Sequence, residues 1–351
     1  MAIFDVTAFD VTVRGAGVFG LSVAFACAKR GARVQVIDPN GVAVGASGGI
    51  VGALAPHVPE NWNPKKAFQL SSLLMAENFW SDVAETGGGA PGYGRLGRLQ
   101  PIADEHQLAL ARGRAEGARA LWQDNASWEV VRAEDLGAWV PPSPTGWVIR
   151  DTLSARLHPR KATQALAAAV LALGGEISNE GLDQGAVVWA SGVAGLSALS
   201  EDLGKPLGNG VKGQALLLDL DLGQAPQLFA ETLHFVPHVD GTLAVGSTSE
   251  RTYEVADEVD AALDALWEKA REVLPAVRDA QILERWAGVR PRARSRAPML
   301  GVWPGRRGHY VANGGFKIGF GMAPKVAEVM ADLVLEGRDR ITDGFRVEDS
   351  F

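Results

Sequence analysis

Three glycines and one acid at fixed spacing carry the first chemical signal in this chain. Gly15, Gly17 and Gly20 form Gly-x-Gly-x-x-Gly inside V-T-V-R-G-A-G-V-F-G, and Asp38 closes the later run V-Q-V-I-D. In such a turn the first glycine permits the tight bend, the second lets the backbone approach a pyrophosphate, and the third lets a helix pack on its strand. The amide groups at that helix start, those of Val18 and Phe19, offer partial positive charge to phosphates. Asp38 stands where a carboxylate accepts hydrogen bonds from an adenosine ribose. A carboxylate there suits a free 2'-hydroxyl, hence FAD or NAD rather than NADP.

These residues need a scaffold, and the surrounding pattern supplies it. Val11 and Val13 alternate as a short strand, an Ala-rich helix runs to Lys29, and Val34 to Ile37 form a second strand ending at Asp38. A glycine pattern alone also fits an ordinary turn in an α/β protein. Strand, helix and acid in register select a dinucleotide site instead.

The whole chain limits what that site can serve. Its 351 residues are enough for a large core and two domains. With 34 Lys and Arg against 41 Asp and Glu, the net charge of -7 gives no global attraction to nucleic acid or anionic lipid, so no nucleic-acid partner is expected. Cys27 is the only cysteine, which excludes an intrachain disulfide and a thiolate metal cluster. It lies among Ala and Phe and reads as a small buried apolar residue. The start of the chain has acids and no basic-apolar signal pattern, and no apolar run is long enough to span a membrane. A cytoplasmic protein is the expectation.

Pro39 to His57 is a loop of small residues in which Gly45-Ala46-Ser47-Gly48-Gly49 satisfies Gly-x-Ser-x-Gly. A hydrolase nucleophile elbow needs a strand before the serine and a helix after it, and Ile-Val-Gly-Ala-Leu-Ala-Pro supplies no helix. The loop suits close backbone approach to a flat ligand, with Ser47 near the phosphates and Gly48, Gly52, Ala53 and Leu54 beside it. Downstream, the patterns predict helices over 66–85, 105–122, 161–173, 256–273 and 323–335, and strands at 98–102, 147–150, 187–190 and 309–312. Between Gly210 and Gly246, short alternating runs indicate an antiparallel sheet. The fold class expected is mixed α/β, a Rossmann-like nucleotide domain with a second antiparallel-sheet domain. The nucleotide domain would take 1–80, 145–205 and 290–351, and the other 81–144 and 206–289.

Taken together, the segments resemble the D-amino acid oxidase superfamily of FAD-dependent oxidoreductases, nearest its glycine oxidase and D-amino acid dehydrogenase branch. The resemblance rests on V-R-G-A-G-V-F-G with Asp38, G-A-S-G-G-I-V-G-A-L, V-V-W-A-S-G at 187–192, V-K-G-Q at 211–214, W-A-G-V-R-P at 286–291 followed by A-P-M-L-G, and N-G-G-F-K-I-G-F-G-M-A-P at 313–324. It implies FAD, held non-covalently since no cysteine follows Cys27. It also implies oxidation of the C–N bond of a small amino acid or amine of glycine, sarcosine or D-amino acid type. Hydride would pass to flavin N5 and the imine would hydrolyse in water. The electron acceptor, oxygen or an electron carrier, and the oligomeric state are left open. So are an oxidase acting on an aminomethylated tRNA base and a flavin protein without turnover.

The resemblance also assigns residues. Arg290 falls on the arginine that grips the substrate carboxylate, which a guanidinium does through paired hydrogen bonds worth about 1.5–3 kcal/mol each. The competing view is a surface arginine in the run with Arg292, Arg294 and Arg296. Ala190, Ser191 and Gly192 would pass close to the cofactor, and Gly314, Gly315, Phe316, Lys317 and Gly319 would line the flavin's pyrimidine edge. Lys317 either adds to the field there, reaches substrate, or is a solvated loop lysine. His234 either faces substrate or is a structural strand histidine. His234 and His238 are no helical metal pair, because Pro237 intervenes, and no metal is expected. The segment from Gly175 to Gly185 is short for the family, which puts the adenine contact in question.

Overall fold

The strand–helix–strand unit at the start, Val11 to Ile37, buries one apolar helix on a parallel pair of strands, which is how a doubly wound fold begins. The computed structural model describes residues 8–351; Met1–Thr7, the first part of the N-terminal stretch read above, lie outside the described residues. The order opens β1 (Val11–Arg14), α1 (Val18–Lys29), β2 (Val34–Ile37), β3 (Ala53–Leu54), α2 (Pro64–Gly87), β4 (Arg98–Pro101) and α3 (Glu105–Trp122). It continues β5 (Trp128–Arg132), β6 (Trp147–Asp151), β7 (Ala155–Arg156), α4 (Pro159–Ala172), β8 (Glu176–Ser178), β9 (Ala186–Trp189) and α5 (Gly192–Asp202). Then come β10 (Gly208–Asp219), β11 (Gln227–Ala230), β12 (Leu233–Pro237), β13 (Thr242–Gly246) and α6 (Ala261–Val273). The chain closes with β14 (Gln281–Ala293), β15 (Met299–Val302), β16 (His309–Asn313) and α7 (Gly319–Glu336).

Two sheets divide the work. The six-stranded sheet runs β15-β16-β9-β1-β2-β8, parallel except for the β15–β16 pair. Helices α1, α4 and α7 pack together beside it, and α1 is enclosed on nearly every side. Leu21 and Phe25 of α1 are fully buried, and burying such a side chain contributes about 1.5–3 kcal/mol. The eight-stranded sheet runs β14-β10-β13-β12-β11-β4-β6-β5 and is antiparallel except for β11 with β4. Strand β6 falls within the 145–205 block placed with the nucleotide domain above, and its partners are β4 and β5.

Several boundaries differ from the sequence expectation for identifiable reasons. Helix α4 begins at Pro159, not Lys161, because proline suits the first helical turn. Helix α6 begins at Ala261, not Ala256, because the Asp260 side chain caps it by accepting from the Ala262 amide. Helix α7 begins at Gly319, not Ala323: Pro324 lies inside it, costing one ladder bond without ending the helix. Helix α5 was hidden by its glycines, and β5, β7, β8, β11 and β15 by their short runs.

Candidate active site

The glycine loop is built by close backbone contacts. Gly15 has φ +119, and a side chain there would meet the Ala190 carbonyl oxygen at 2.5 Å. A Cβ on Gly20 would fall 2.0 Å from the Gly15 carbonyl oxygen, so the first turn of α1 sits directly on the strand that feeds it. Asp38 closes the loop: its carboxylate accepts from the Ala16 amide at 2.8 Å and the Asn40 amide at 3.0 Å. Ser47 lies in a short turn, Ala46–Gly48, and its Oγ accepts from the Val18 amide at 2.9 Å. Gly48 and Gly52 press against the carbonyls of Ala43 and Leu157, and Ala53 and Leu54 form β3.

A cavity of about 750 Å³ runs from this loop to the eight-stranded sheet. Its lining brings together Gly15, Gly17, Val18, Phe19, Asp38, Ser47, Gly52, Ala53, Leu54, Ala190, Ser191, Gly192, Gly314, Gly315, Phe316, Lys317, Gly319, His234 and Arg290. Of the residues singled out from sequence, Gly20 and Gly48 lie behind this wall. The starts of α1, α5 and α7 all open onto the cavity, so three helix N-termini direct positive charge into it. Asp38 is the only acidic side chain lining the cavity among the described residues. Glycine walls that a Cβ would fill, together with converging helix N-termini, fit a flat, doubly phosphorylated ligand such as FAD.

The other end of the cavity is made by strands. On β14, residues two apart share a face, so Trp286, Gly288 and Arg290 line up. Across the register Gly213 of β10 opposes Gly288, and a side chain at 213 would lie 1.7 Å from Arg290 Nη1. Arg290 therefore lies flat over the backbone of β10, donating to Ser247 Oγ at 2.7 Å and the Thr248 carbonyl at 3.3 Å. It forms no ion pair among the described residues. Burial pushes its guanidinium down to about 10, partly offset by Glu250, so it stays a cation at neutral pH.

Behind Arg290 a polar network fixes that geometry. Thr248 Oγ1 contacts Glu250 at 2.5 Å, Gln214 Nε2 donates to Glu250 and Asp260, and the buried Lys212 donates to Asp260 at 2.7 Å. Lys317 is exposed at the cavity mouth and makes no hydrogen bond among the described residues. Partial desolvation at the mouth, then Arg290 and Arg292, lower its ammonium from the ordinary lysine value. Of its arginine neighbours, Arg292 lies over the Phe316 ring at 5.5 Å.

His234 faces the cavity from β12 beside Phe229, with ring centroids 4.6 Å apart. Its Nδ1 is buried without a partner, and burial with the nearby cations Arg98, Lys317 and Arg290 pushes its pKa down to about 3. His238 points elsewhere: its Nε2 meets the Ile50 carbonyl at 2.9 Å and its ring stacks on His158 at 4.7 Å. Trp286, Phe229, Thr232 and Ser247 line the cavity and were not singled out from sequence. Alternation back from Arg290 would have reached Trp286. Ser247 comes from another strand end, and no local pattern marks it.

A glycine-lined end on the parallel sheet, joined through one cavity to an antiparallel sheet that presents Arg290, is an architecture suited to a dinucleotide-dependent oxidoreductase. The chain belongs to the FAD dependent oxidoreductase family, which matches residues 10–333. Among curated relatives it is 27% identical to the glycine oxidase of Pseudomonas putida over 95% of this chain and 96% of that one. It is 34% identical to the glycine oxidase of Pseudomonas aeruginosa over 42% of each chain. It is 27% identical to the bifunctional protein ThiO/ThiG of a Nostoc species over 93% of this chain, and spans 53% of that longer protein. Among solved structures, glycine oxidase from Geobacillus kaustophilus superposes with a TM-score of 0.84 at 22% identity, covering 97% and 98% of the two chains. Iminodiacetate oxidase from a Chelativorans species gives 0.81 at 19% identity, covering 96% and 98%. No helix among the described residues is long and apolar enough to cross a membrane.

Proposed function

We propose that this protein oxidises the carbon–nitrogen bond of a small carboxylated amine, glycine or an N-substituted or D-configured relative, using non-covalent FAD. The observation that carries this reading is Arg290: a guanidinium without an ion-pair partner, held flat on β10 and open to the cavity. A half-buried cation so placed favours a ligand that brings a carboxylate, because its own neighbours supply only a hydroxyl and a carbonyl. The glycine oxidases and the iminodiacetate oxidase among its relatives act, by name, on molecules of this kind.

In this reading the six-stranded sheet carries the cofactor and the eight-stranded sheet the substrate. Gly15 to Gly20, Asp38 and Ser47 hold the adenosine diphosphate end, while Gly48 to Leu54 and Gly314 to Gly319 flank the flavin. Bound FAD supplies the two-electron oxidising power. The chain's own contribution is orientation: Arg290 anchors the carboxylate, Trp286 and Phe229 wall the pocket against water, and the start of α7 directs positive charge into the cavity. His234 stays neutral over the working pH range, which suits a wall and hydrogen-bonding role better than proton abstraction.

An anaerobic screen tests this directly. The isolated protein should be yellow, and its absorbance should bleach with glycine, sarcosine, iminodiacetate or a D-amino acid but not with the matching amines lacking a carboxylate. Failure to bind FAD, or bleaching indifferent to the carboxylate, would sink the reading.

A further inference from the structure

We infer that Arg14 is an adenine-binding residue, held for that purpose by the short link between β8 and β9. The inference rests on the FAD assignment and goes beyond it to a residue outside the glycine motif. Arg14 ends β1 directly before Gly15 and lines the cavity together with Asp38, Asn40 and Trp189. Two of its three guanidinium nitrogens are held by the link, on residues that do not line the cavity. Nε donates to Asp183 Oδ1 at 2.7 Å, and Nη2 donates to the Gly181 carbonyl at 3.2 Å. Nη1 makes no hydrogen bond among the described residues.

The link that supplies these partners is organised around the same sheet face. Residues 179–185 join β8 to β9, and Gln184 and Leu182 bond Thr12 and Gln35, two further polar side chains on that face. Gln35 in turn donates to Thr12 Oγ1. A parallel sheet face is ordinarily apolar and covered by packed elements. Here it is polar and covered by a strap whose two bonds to Arg14 leave the planar cation an open edge. Trp189, neighbour to Arg14 in the parallel register, has its ring centroid 6.0 Å from the guanidinium carbon. Its own ring is set by donation to His309 Nδ1 at 3.0 Å.

A flat cation beside a fixed indole suits a flat, neutral, electron-rich heterocycle carrying ring-nitrogen acceptors. The guanidinium stacks on or donates to such a ring, and of FAD's two ring systems adenine is the one joined to the ribose that Asp38 would hold, beside Arg14 in the same lining. Because Asp183 already balances the charge of Arg14, the contribution here is directional and planar rather than a bulk attraction for phosphate. The residue thus separates FAD from FMN, which lacks the adenosine.

Flavin fluorescence titrations of the stripped full-length chain with FAD and with FMN test this, and FAD binding by the wild type tests the underlying cofactor assignment by itself. Arg14→Leu should weaken FAD about tenfold or more while leaving FMN unchanged within about twofold, and Asp183→Asn should weaken FAD about threefold. ADP should displace FAD from the wild type, and its affinity should drop in Arg14→Leu in step with that of FAD. Arg14→Lys keeps the charge and the Asp183 partner, so it guards against misfolding of the leucine variant, and it too should lose most of the FAD preference. Equal losses for FAD and FMN, or full FAD affinity in either Arg14 variant, would overturn the assignment.

Discussion

The guanidinium of Arg290 occupies the space that any side chain at Gly213 would fill, 1.7 Å from where a Cβ would stand. The two residues sit on adjacent antiparallel strands, and the glycine is what lets the arginine lie flat. Gly213→Ala should therefore act like a mild substitution of Arg290. The methyl group displaces the far end of a flexible side chain, so the melting temperature should hold while KM for carboxylated amines rises about tenfold. Arg290→Ala should raise that KM about ten- to hundredfold, the equivalent of losing 1.5–3 kcal/mol, with little effect on uncharged amines. Steady-state kinetics on paired substrates check both, and a Gly213→Ala enzyme with unchanged KM would show that Arg290 can rearrange without loss.

Lys317 differs from Arg290 in exposure and in lacking any hydrogen bond among the described residues. An exposed cation contributes about 0.2–1 kcal/mol to a charged contact. Lys317→Met should thus raise KM for carboxylated amines only about two- to fivefold. An effect as large as that of Arg290→Ala would make Lys317 a principal carboxylate ligand.

The glycine-loop end of the cavity is legible in the sequence because it is local. Gly15, Gly20 and Asp38 fall within one strand–helix–strand unit, and the contacts that constrain them are with near neighbours in that unit and with Ser178, Ala190 and Ser191. The Arg290 end is assembled from separate strands. Arg290 stands out only through its motif; its supports Gly213, Ser247 and Thr248 are set by register and hydrogen bonding that no single stretch encodes. The start of α7 was masked because Pro324 looks like a boundary, whereas a proline early in a long, well-packed helix is tolerated. Arg14 carries no sequence signal, because a strand-terminal arginine has no meaning until the strap carrying Asp183 folds across it.

Buried imidazoles set an acid limit. His234 and His238 are pushed down to about 3 and about 4, chiefly by burial, and His158 is lowered as well. Unfolded, each binds a proton near pH 6.5; folded, each resists until the lower value. Below about pH 6.5 the unfolded state therefore gains protons first, and stability falls with pH down to the folded values. For His234 alone the loss is on the order of 2 kcal/mol by about pH 5. Urea unfolding across this range should show a shallower decline for His234→Gln than for wild type, with the two curves parallel above pH 7. Parallel curves throughout would mean that His234 is solvated and titrates normally.

Ser47 sits in a Gly-x-Ser-x-Gly sequence, yet its hydroxyl is committed to the start of α1. Its Oγ accepts from the Val18 amide at 2.9 Å, while Thr163 Oγ1 donates to its carbonyl at 3.2 Å. No strand leads into the residue and no helix leaves it, so nothing holds its oxygen in the exposed, strained position a nucleophile needs. The hydroxyl satisfies one of the orphan amides of a helix start, a contact worth about 1 kcal/mol. Ser47→Ala should accordingly lower unfolding free energy by about that amount and weaken FAD several-fold, while amine oxidation by the flavin-saturated variant persists. A fluorophosphonate probe should give no adduct at Ser47 by mass spectrometry. Stoichiometric labelling there would mean that the serine is activated, and that the loop carries hydrolytic chemistry.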